Sequence, residues 1–119
     1  MRAMVDALAQ KMAANPADPQ GWMLLARSYA AFGRYSDAAD AYAKAADRLP
    51  APDAQLFADW ADVAAMAQGR KLAGAPEALV ERALAVDPSN PKALALSGTA
   101  RLERARRNQD RRYPRRGLR

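Results

Sequence analysis

The stretch from residue 18 to residue 50 constrains the fold of this chain more than any other part of its sequence. An apolar stripe with helical spacing, at i, i+3, i+4 and i+7, is formed by Trp22, Leu25, Ala26 and Tyr29. A second stripe comes after it, formed by Ala38, Ala41, Tyr42, Ala45 and Leu49. Because both apolar stripes must be buried, the stretch predicts two antiparallel helices that pack against each other.

The ends of these two helices carry residues that are typical of helix boundaries. Asp18 suits the N-cap, and Pro19 suits the first turn, where its missing N–H breaks no hydrogen bond. Gly33 suits the left-handed position that ends a helix. We expect Ser36 to cap the second helix and Pro50 to stop it.

The same residues match the tetratricopeptide pattern, which has W-x2-L-G-x2-Y, then A-x3-F and then P in about 34 residues. Ala26 replaces the small glycine of the pattern, and Tyr42 replaces its phenylalanine. Alanines allow the two helices to approach closely, and the aromatic rings fill the space beside them. The alternative is an ordinary helical hairpin that matches the pattern by chance.

Further helices are predicted on both sides of this first repeat, residues 19–50. A leading helix over residues 2–14 would cover its exposed face. A second repeat is predicted over residues 54–88, with a longer, glycine-rich internal turn, although an unrelated helical hairpin would also fit. A half repeat is predicted over residues 91–107, with Gly98 at a close-approach position. We therefore predict one all-α domain, residues 1–107, whose tetratricopeptide helix pairs form a short right-handed superhelix with a truncated third repeat.

The positive charge of the chain is concentrated at its end. The formal net charge is +6, but residues 1–100 contain ten Lys/Arg and eleven Asp/Glu, whereas residues 101–119 contain nine Arg and two acidic residues. Pro114 and Gly117 disfavour a further helix there. We predict a basic, disordered tail over residues 108–119. The abrupt change to arginine also suggests an altered reading frame, which the coding DNA would test.

The composition argues against several classes of function. The chain has no cysteine and no histidine, so disulfides, thiolate chemistry and the commonest metal and haem ligands are excluded. No apolar run reaches the roughly 20 residues of a membrane span. Asp59 and Asp62 lie one turn apart, but such a pair is more often a solvated face or a partner of Arg27 than a catalytic pair. We expect a protein that is not an enzyme and has no cofactor, metal or small-molecule substrate.

The order of motifs is more specific than a generic repeat. It includes Gly21–Trp22, Arg27–Tyr29, Asp59–Asp62, a glycine-rich turn from Gly69 to Pro76, Ala83–Leu84, Asp87, Asn90, Lys92, Leu94 and Gly98. This order, over about residues 3–100, resembles the periplasmic tetratricopeptide domain of the bacterial c-type cytochrome biogenesis protein that holds apocytochrome c for the haem lyase. The likeness ends after Ala100, where the family usually continues with an aromatic-rich helix.

The resemblance implies a partner and a compartment. The partner would be the C-terminal helix of apocytochrome c, together with subunits of the haem lyase. The compartment would be the periplasm, where the family's domain is tethered to the inner membrane by a segment that this chain lacks. The function implied is non-enzymatic binding of a helix or peptide during c-type cytochrome maturation.

The predicted site is a groove lined by the first helix of each pair, on the side away from the packing stripe. Such a groove can take an amphipathic helix. The groove residues are Gln20, Met23, Arg27, Ala30, Gln55, Ala58, Asp62, Met66, Lys92, Ala95 and Thr99. The alternative is that these residues are ordinary solvent-exposed positions that bind no partner. Trp22, Tyr29 and Trp60 are expected in the core rather than in a ligand-stacking box.

Two other functions stay open from the sequence. The chain could be a tetratricopeptide scaffold or assembly adaptor unrelated to cytochromes, and an apolar face on Leu94 and Leu102 could support a homodimer. The tail could bind nucleic acid or anionic lipid through Arg104, Arg106, Arg107, Arg111, Arg112, Arg115, Arg116 and Arg119. Tyr113 is its only aromatic residue, so sequence-specific nucleic-acid recognition is not expected.

Overall fold

The computed structural model describes residues 2–112, which form six α-helices and no strand. The helices are α1 (Arg2–Ala14), α2 (Pro19–Ala31), α3 (Tyr35–Arg48), α4 (Ala54–Ala67), α5 (Ala75–Val86) and α6 (Pro91–Arg112). Helix α2 packs against α3 and α4 against α5, while α3 joins the two pairs through α4. The prediction of an all-α fold built from helical pairs is confirmed.

Local signals set most of the helix boundaries. The carboxylate of Asp18 accepts a hydrogen bond from the backbone N–H of Gln20 at 3.1 Å and caps α2. Asp53 caps α4 in the same way. Ser36 was predicted to cap α3, but this is wrong, because α3 begins at Tyr35 and has no side-chain cap. The tight turn brings the chain back into a helix before Ser36 is reached.

Small residues lie where the paired helices approach most closely. Ala26, Ala38 and Ala45 are completely buried, as the repeat pattern predicts. Trp22 is buried beside them, and its indole N–H donates a hydrogen bond to the carbonyl oxygen of Pro16 at 2.9 Å. Tyr29 is half-buried and packs against the core. Removing a methylene from such a packed interior leaves a cavity, so these positions tolerate little change.

The leading helix α1 packs closely on α2 at Gly21. Met12 of α1 is buried, and its sulfur would lie 2.3 Å from a Cβ atom added to Gly21. A Cβ atom at position 21 would therefore force the flexible end of the Met12 side chain to shift. Gly98 differs, because a Cβ atom added there would meet nothing within 4 Å, so the predicted close approach at Gly98 is wrong.

The turn between α4 and α5, residues 68–74, is packed against the rest of the domain. Leu72 at its centre is only 2% exposed. Both carboxylate oxygens of Glu103 in α6 accept a hydrogen bond from the backbone N–H of Leu72, at 3.0 and 3.1 Å. The side-chain amide of Gln68 donates to two carbonyl oxygens of the same turn. An apolar anchor and a carboxylate from the next helix thus hold this turn in place.

Helix α6 is longer than predicted. A helix end near residue 107 and a disordered tail from residue 108 were expected, but α6 continues to Arg112. Residues 108–112 contain no glycine or proline, so nothing in them breaks the helix. The rest of the predicted disordered tail, residues 113–119, lies outside the described residues.

Candidate functional site

A polar cluster joins the first helices of the second and third units. The ammonium group of Lys92 in α6 lies 2.8 Å from Oδ1 of Asp59 and 3.1 Å from Oδ2 of Asp62, both in α4. Desolvation by burial lowers the pKa of Lys92, but the hydrogen bonds to Asp59 and Asp62 outweigh it and raise the pKa above its ordinary value. Lys92 is therefore held as a cation between two carboxylates.

Two amide side chains extend this cluster. The side-chain amide of Gln55 donates to Oδ1 of Asp59 at 3.0 Å, and that of Asn90 donates to Oε1 of Gln55 at 3.1 Å. The Oδ1 atom of Asn90, a buried residue, accepts a hydrogen bond from the backbone N–H of Ala93 at 2.9 Å. Because Asn90 also caps α6, the cluster fixes the start of α6 against α4.

Tyr42 links the cluster to α2. Burial raises the pKa of the Tyr42 hydroxyl above its ordinary value, and the carboxylate of Asp59 adds to this rise. Arg27 in α2 and Lys92 act in the opposite direction, because their positive charges favour the ionised hydroxyl and lower its pKa. The Arg27 side chain itself is exposed. Helices α2, α4 and α6 thus contribute charged groups to one connected region, which we call the polar face. It consists of the accessible Arg27, Gln55, Asp59, Asp62 and Lys92, together with the buried Tyr42 of α3 and the buried Asn90.

The structure brings four of the predicted groove residues together on this face. Gln55, Asp62 and Lys92 belong to the cluster, and Arg27 reaches it through Tyr42. Gln20 is exposed, as is Ala95. Thr99 is also exposed and bonds its hydroxyl to the carbonyl oxygen of Ala95 in its own helix.

Two predicted groove residues lie in the core instead. Ala58 is completely buried and Met23 is 9% exposed, so neither is open to a partner. Ala58 is covered because α4 is contacted by α3, α5 and α6, which leaves it a narrow free surface. Met23 lies in α2, which is contacted by α1 and α3. Ala30 and Met66 are half-buried, with part of each side chain accessible.

Three residues of the polar face were not predicted as part of the site. Asp59 was considered only as a solvated group or a partner of Arg27, Tyr42 only as a core ring, and Asn90 only as the start of the third unit. The spacing of Gln55, Asp59 and Asp62, at i, i+4 and i+7, was the available signal, since it puts all three on one side of α4.

Two of the three aromatic residues considered for a ligand-stacking box, Trp22 and Trp60, pack against other side chains of the fold. Trp22 is buried under Lys44, whose ammonium nitrogen lies 4.6 Å from the ring centroid. Trp60 is half-buried, stacks on Phe57 and lies below the guanidinium of Arg82. The core assignment is confirmed for Trp22, while Tyr29 and Trp60 lie at the edge of the core.

Neither a metal site nor a membrane span is found in the part of the chain that the structure describes. Residues 2–112 hold no group of three acidic side chains placed to bind a metal ion. None of the helices described combines the length and apolar character needed to span a bilayer. The arrangement provides a surface of fixed charges and amides on stacked helices, which is suited to non-covalent contact with another molecule.

The helical pairs define an all-α protein with a helical-repeat arrangement like that of tetratricopeptide proteins. No family model matches the chain. Two curated relatives, each named cytochrome c-type biogenesis protein CycH, do match it. The protein of Pseudomonas aeruginosa is 33% identical over 106 residues, which are 89% of this chain and 26% of the relative. The protein of Rhizobium meliloti is 42% identical over 82 residues, which are 68% of this chain and 21% of the relative.

These matches cover most of this chain but only a part of each relative. The chain spans 26% and 21% of the lengths of the two proteins. It is homologous to that part of them, and the resemblance to a c-type cytochrome biogenesis protein, predicted from the sequence, is confirmed.

Proposed function

We propose that this chain is a non-enzymatic binding module in c-type cytochrome maturation, and that it binds a helix of apocytochrome c along the polar face. The names of the two relatives support the pathway. Stacked helical pairs support the mode of binding, because the first helices of successive pairs form a surface on which another helix can lie. The same proposal places the chain in the periplasm, in contact with subunits of the haem lyase.

The observation that carries the proposal is the preorganised charge of the polar face. Asp59, Asp62 and Lys92 hold one another in fixed positions, so ordering them on binding costs little entropy. Arg27 lies beside them with an exposed guanidinium. Fixed groups of both signs select the charge pattern and register of a bound helix more than they add to its affinity.

Apolar contact comes from the border of this face. Ala30 and Met66 are half-buried, and Ala95 is exposed. Methionine has a flexible, polarizable side chain that adapts to varied partners. A helix with one apolar stripe flanked by charged residues would therefore match this surface.

The test is binding of a labelled peptide with the sequence of the apocytochrome c C-terminal helix, measured by fluorescence anisotropy. Arg27→Ala removes an exposed cation of the polar face, and we expect it to weaken binding roughly tenfold. Arg111→Ala is the matched control, because it removes an exposed arginine at the far end of α6. We expect the control to bind within about twofold of the unmodified chain.

The opposite result would favour the arginine-rich end as the binding region. In that case Arg111→Ala would weaken binding as much as Arg27→Ala. The affinity for the peptide would also fall steeply with added salt. No binding of the peptide by any variant would contradict the proposed partner.

A further inference from the structure

A basic cleft lies between the long turn and the second half of α6. Its volume is about 550 Å³, within the range of natural ligand sites. Four cationic side chains line it: Arg70 and Lys71 from the turn, and Arg106 and Arg107 from α6. Thr99 also lines it and lies two turns beyond Lys92 on the same helix. The cleft therefore continues the α6 side of the polar face.

Most of the charge in this cleft is not used to hold the fold together. Among the described residues, the side chains of Arg70, Lys71 and Arg106 form no ion pair. Within residues 2–112, the ion pairing of Arg107 is limited to a long contact, 3.9 Å, with Glu103. Cations gathered in a cleft without such partners attract an anionic ligand.

The backbone at Arg70 gives an independent indication. Arg70 has φ = +69° and is the non-glycine residue with positive φ among those described. A side chain with a Cβ atom is disfavoured there, and such outliers concentrate at functional sites. Glycine would fit this turn with less strain, as Gly69 and Gly74 do beside it. A structural role alone does not explain an arginine at this position.

We propose that this cleft binds an acidic peptide segment, in which carboxylate side chains pair with Arg70, Lys71 and Arg106. This goes beyond the proposed function, because it adds a second region of contact and does not depend on what binds the polar face. Guanidinium groups suit carboxylates, since each can donate two parallel hydrogen bonds to one carboxylate.

A peptide fits the cleft better than a nucleic acid. Glu103 and Asp110 also line it, and their carboxylates would repel a continuous phosphate backbone. Among the residues that the structure describes, no aromatic side chain lines it, so bases find no ring there to stack on. A peptide can place its acidic residues next to the cations and keep uncharged residues beside Glu103 and Asp110.

The test uses the full chain and a fluorescein-labelled hexaglutamate peptide, with a hexaglutamine peptide as its neutral control. We expect the hexaglutamate peptide to bind and the hexaglutamine peptide not to bind. Arg106→Gln should weaken binding about fivefold, whereas Arg111→Gln, the same change at a position outside the cleft, should change it less than about twofold. Equal losses in the two variants would overturn the proposal, because they would mean non-specific attraction.

Arg70→Gly separates binding from folding. We expect it to weaken hexaglutamate binding about fivefold while the thermal unfolding midpoint stays the same or rises, because the strain at this position is relieved. An unchanged affinity would overturn the proposal. So would a single-stranded oligonucleotide, or vesicles of anionic phospholipid, binding more tightly than hexaglutamate with the same dependence on Arg70 and Arg106. Failure of these tests would not bear on the proposed binding of the apocytochrome c peptide, which the Arg27→Ala variant tests separately.

Discussion

The two helical pairs begin their internal turns in the same way and finish them differently. In the first pair the N–H of Arg34 bonds to the carbonyl oxygen of Tyr29 at 2.9 Å, and in the second the N–H of Arg70 bonds to that of Ala65 at 2.8 Å. A glycine with positive φ precedes each arginine, at Gly33 and Gly69. Both helices thus end with the same left-handed motif.

After the Gly-Arg dipeptide, the chain follows a different path in each of the two pairs. Arg34 has φ = −88°, and the next residue already begins α3. Arg70 has φ = +69°, which turns the chain into a longer excursion that buries Leu72 before α5 begins. The comparison shows that the dipeptide ends the helix, while contacts made by later residues decide the path of the chain beyond it.

Among the variants that test this difference, the largest effect is expected from removal of the apolar anchor, Leu72. Leu72→Ala should lower the free energy of unfolding by about 3 kcal/mol, because it leaves a cavity in the core beneath the turn. Leu102→Ala is the control, since Leu102 is 68% exposed and should contribute less than about 0.5 kcal/mol. Urea unfolding followed by circular dichroism measures both, and similar losses would mean that Leu72 does not anchor the turn.

The carboxylate that holds the turn should have the next largest effect. Glu103→Ala leaves the N–H of Leu72 without its acceptor, so we expect a loss of about 1–2 kcal/mol in unfolding free energy. Glu103→Gln keeps one acceptor oxygen and should recover part of this loss. The exposed Glu81 provides the control, and Glu81→Ala should leave stability nearly unchanged. Hydrogen exchange at the Leu72 amide should accelerate in Glu103→Ala, and an unchanged rate would contradict the assignment.

Substitutions at the two left-handed positions should have opposite signs. Gly33→Ala forces a Cβ atom into the positive-φ region and should cost about 1 kcal/mol. Arg70→Gly removes a Cβ atom from that region and should raise stability by about 0.5 kcal/mol, since added freedom of the unfolded chain offsets part of the gain. Thermal unfolding of the two variants measures this contrast. A fall in the unfolding midpoint of both variants would contradict the prediction.

The smallest effect concerns alkaline pH. The raised pKa of Lys92 contributes stability that is fully present below the ordinary lysine value of 10.5 and is lost as pH rises through the folded value. The raised pKa of Tyr42 acts in the same direction above its ordinary value of 10.0. We therefore expect stability to fall more steeply above pH 10 in the unmodified chain than in Lys92→Met. Lys71→Met, which leaves the cluster intact, should keep the steep decline.

Much of the fold could be predicted because its signals are local. The stripe of Trp22, Leu25 and Ala26 fixed which side of α2 is buried, and Asp18 and Asp53 marked where helices begin. The start of α1 at Arg2 and that of α6 at Pro91 were predicted at the residues where the structure has them. Helix periodicity and capping depend on neighbours within about one turn, which the sequence displays directly.

The site was predicted less completely, because a groove residue is defined by what lies opposite it. Ala58 and Met23 occupy the expected side of their helices but are covered by neighbouring helices. Lys92 was chosen for its helix position alone. Its pairing with Asp59 and Asp62 joins residues about thirty positions apart, and no periodicity reports such a contact.

By itself, the sequence determined that this protein is a set of helical pairs, because apolar spacing, alanines and helix ends are properties of short segments. Only the tertiary structure decided that Leu72 is core, that Glu103 holds the long turn, and that Arg70 and Arg106 face one cleft. The physical reason is that burial and charge pairing depend on distances between segments, which are set when the helices pack together.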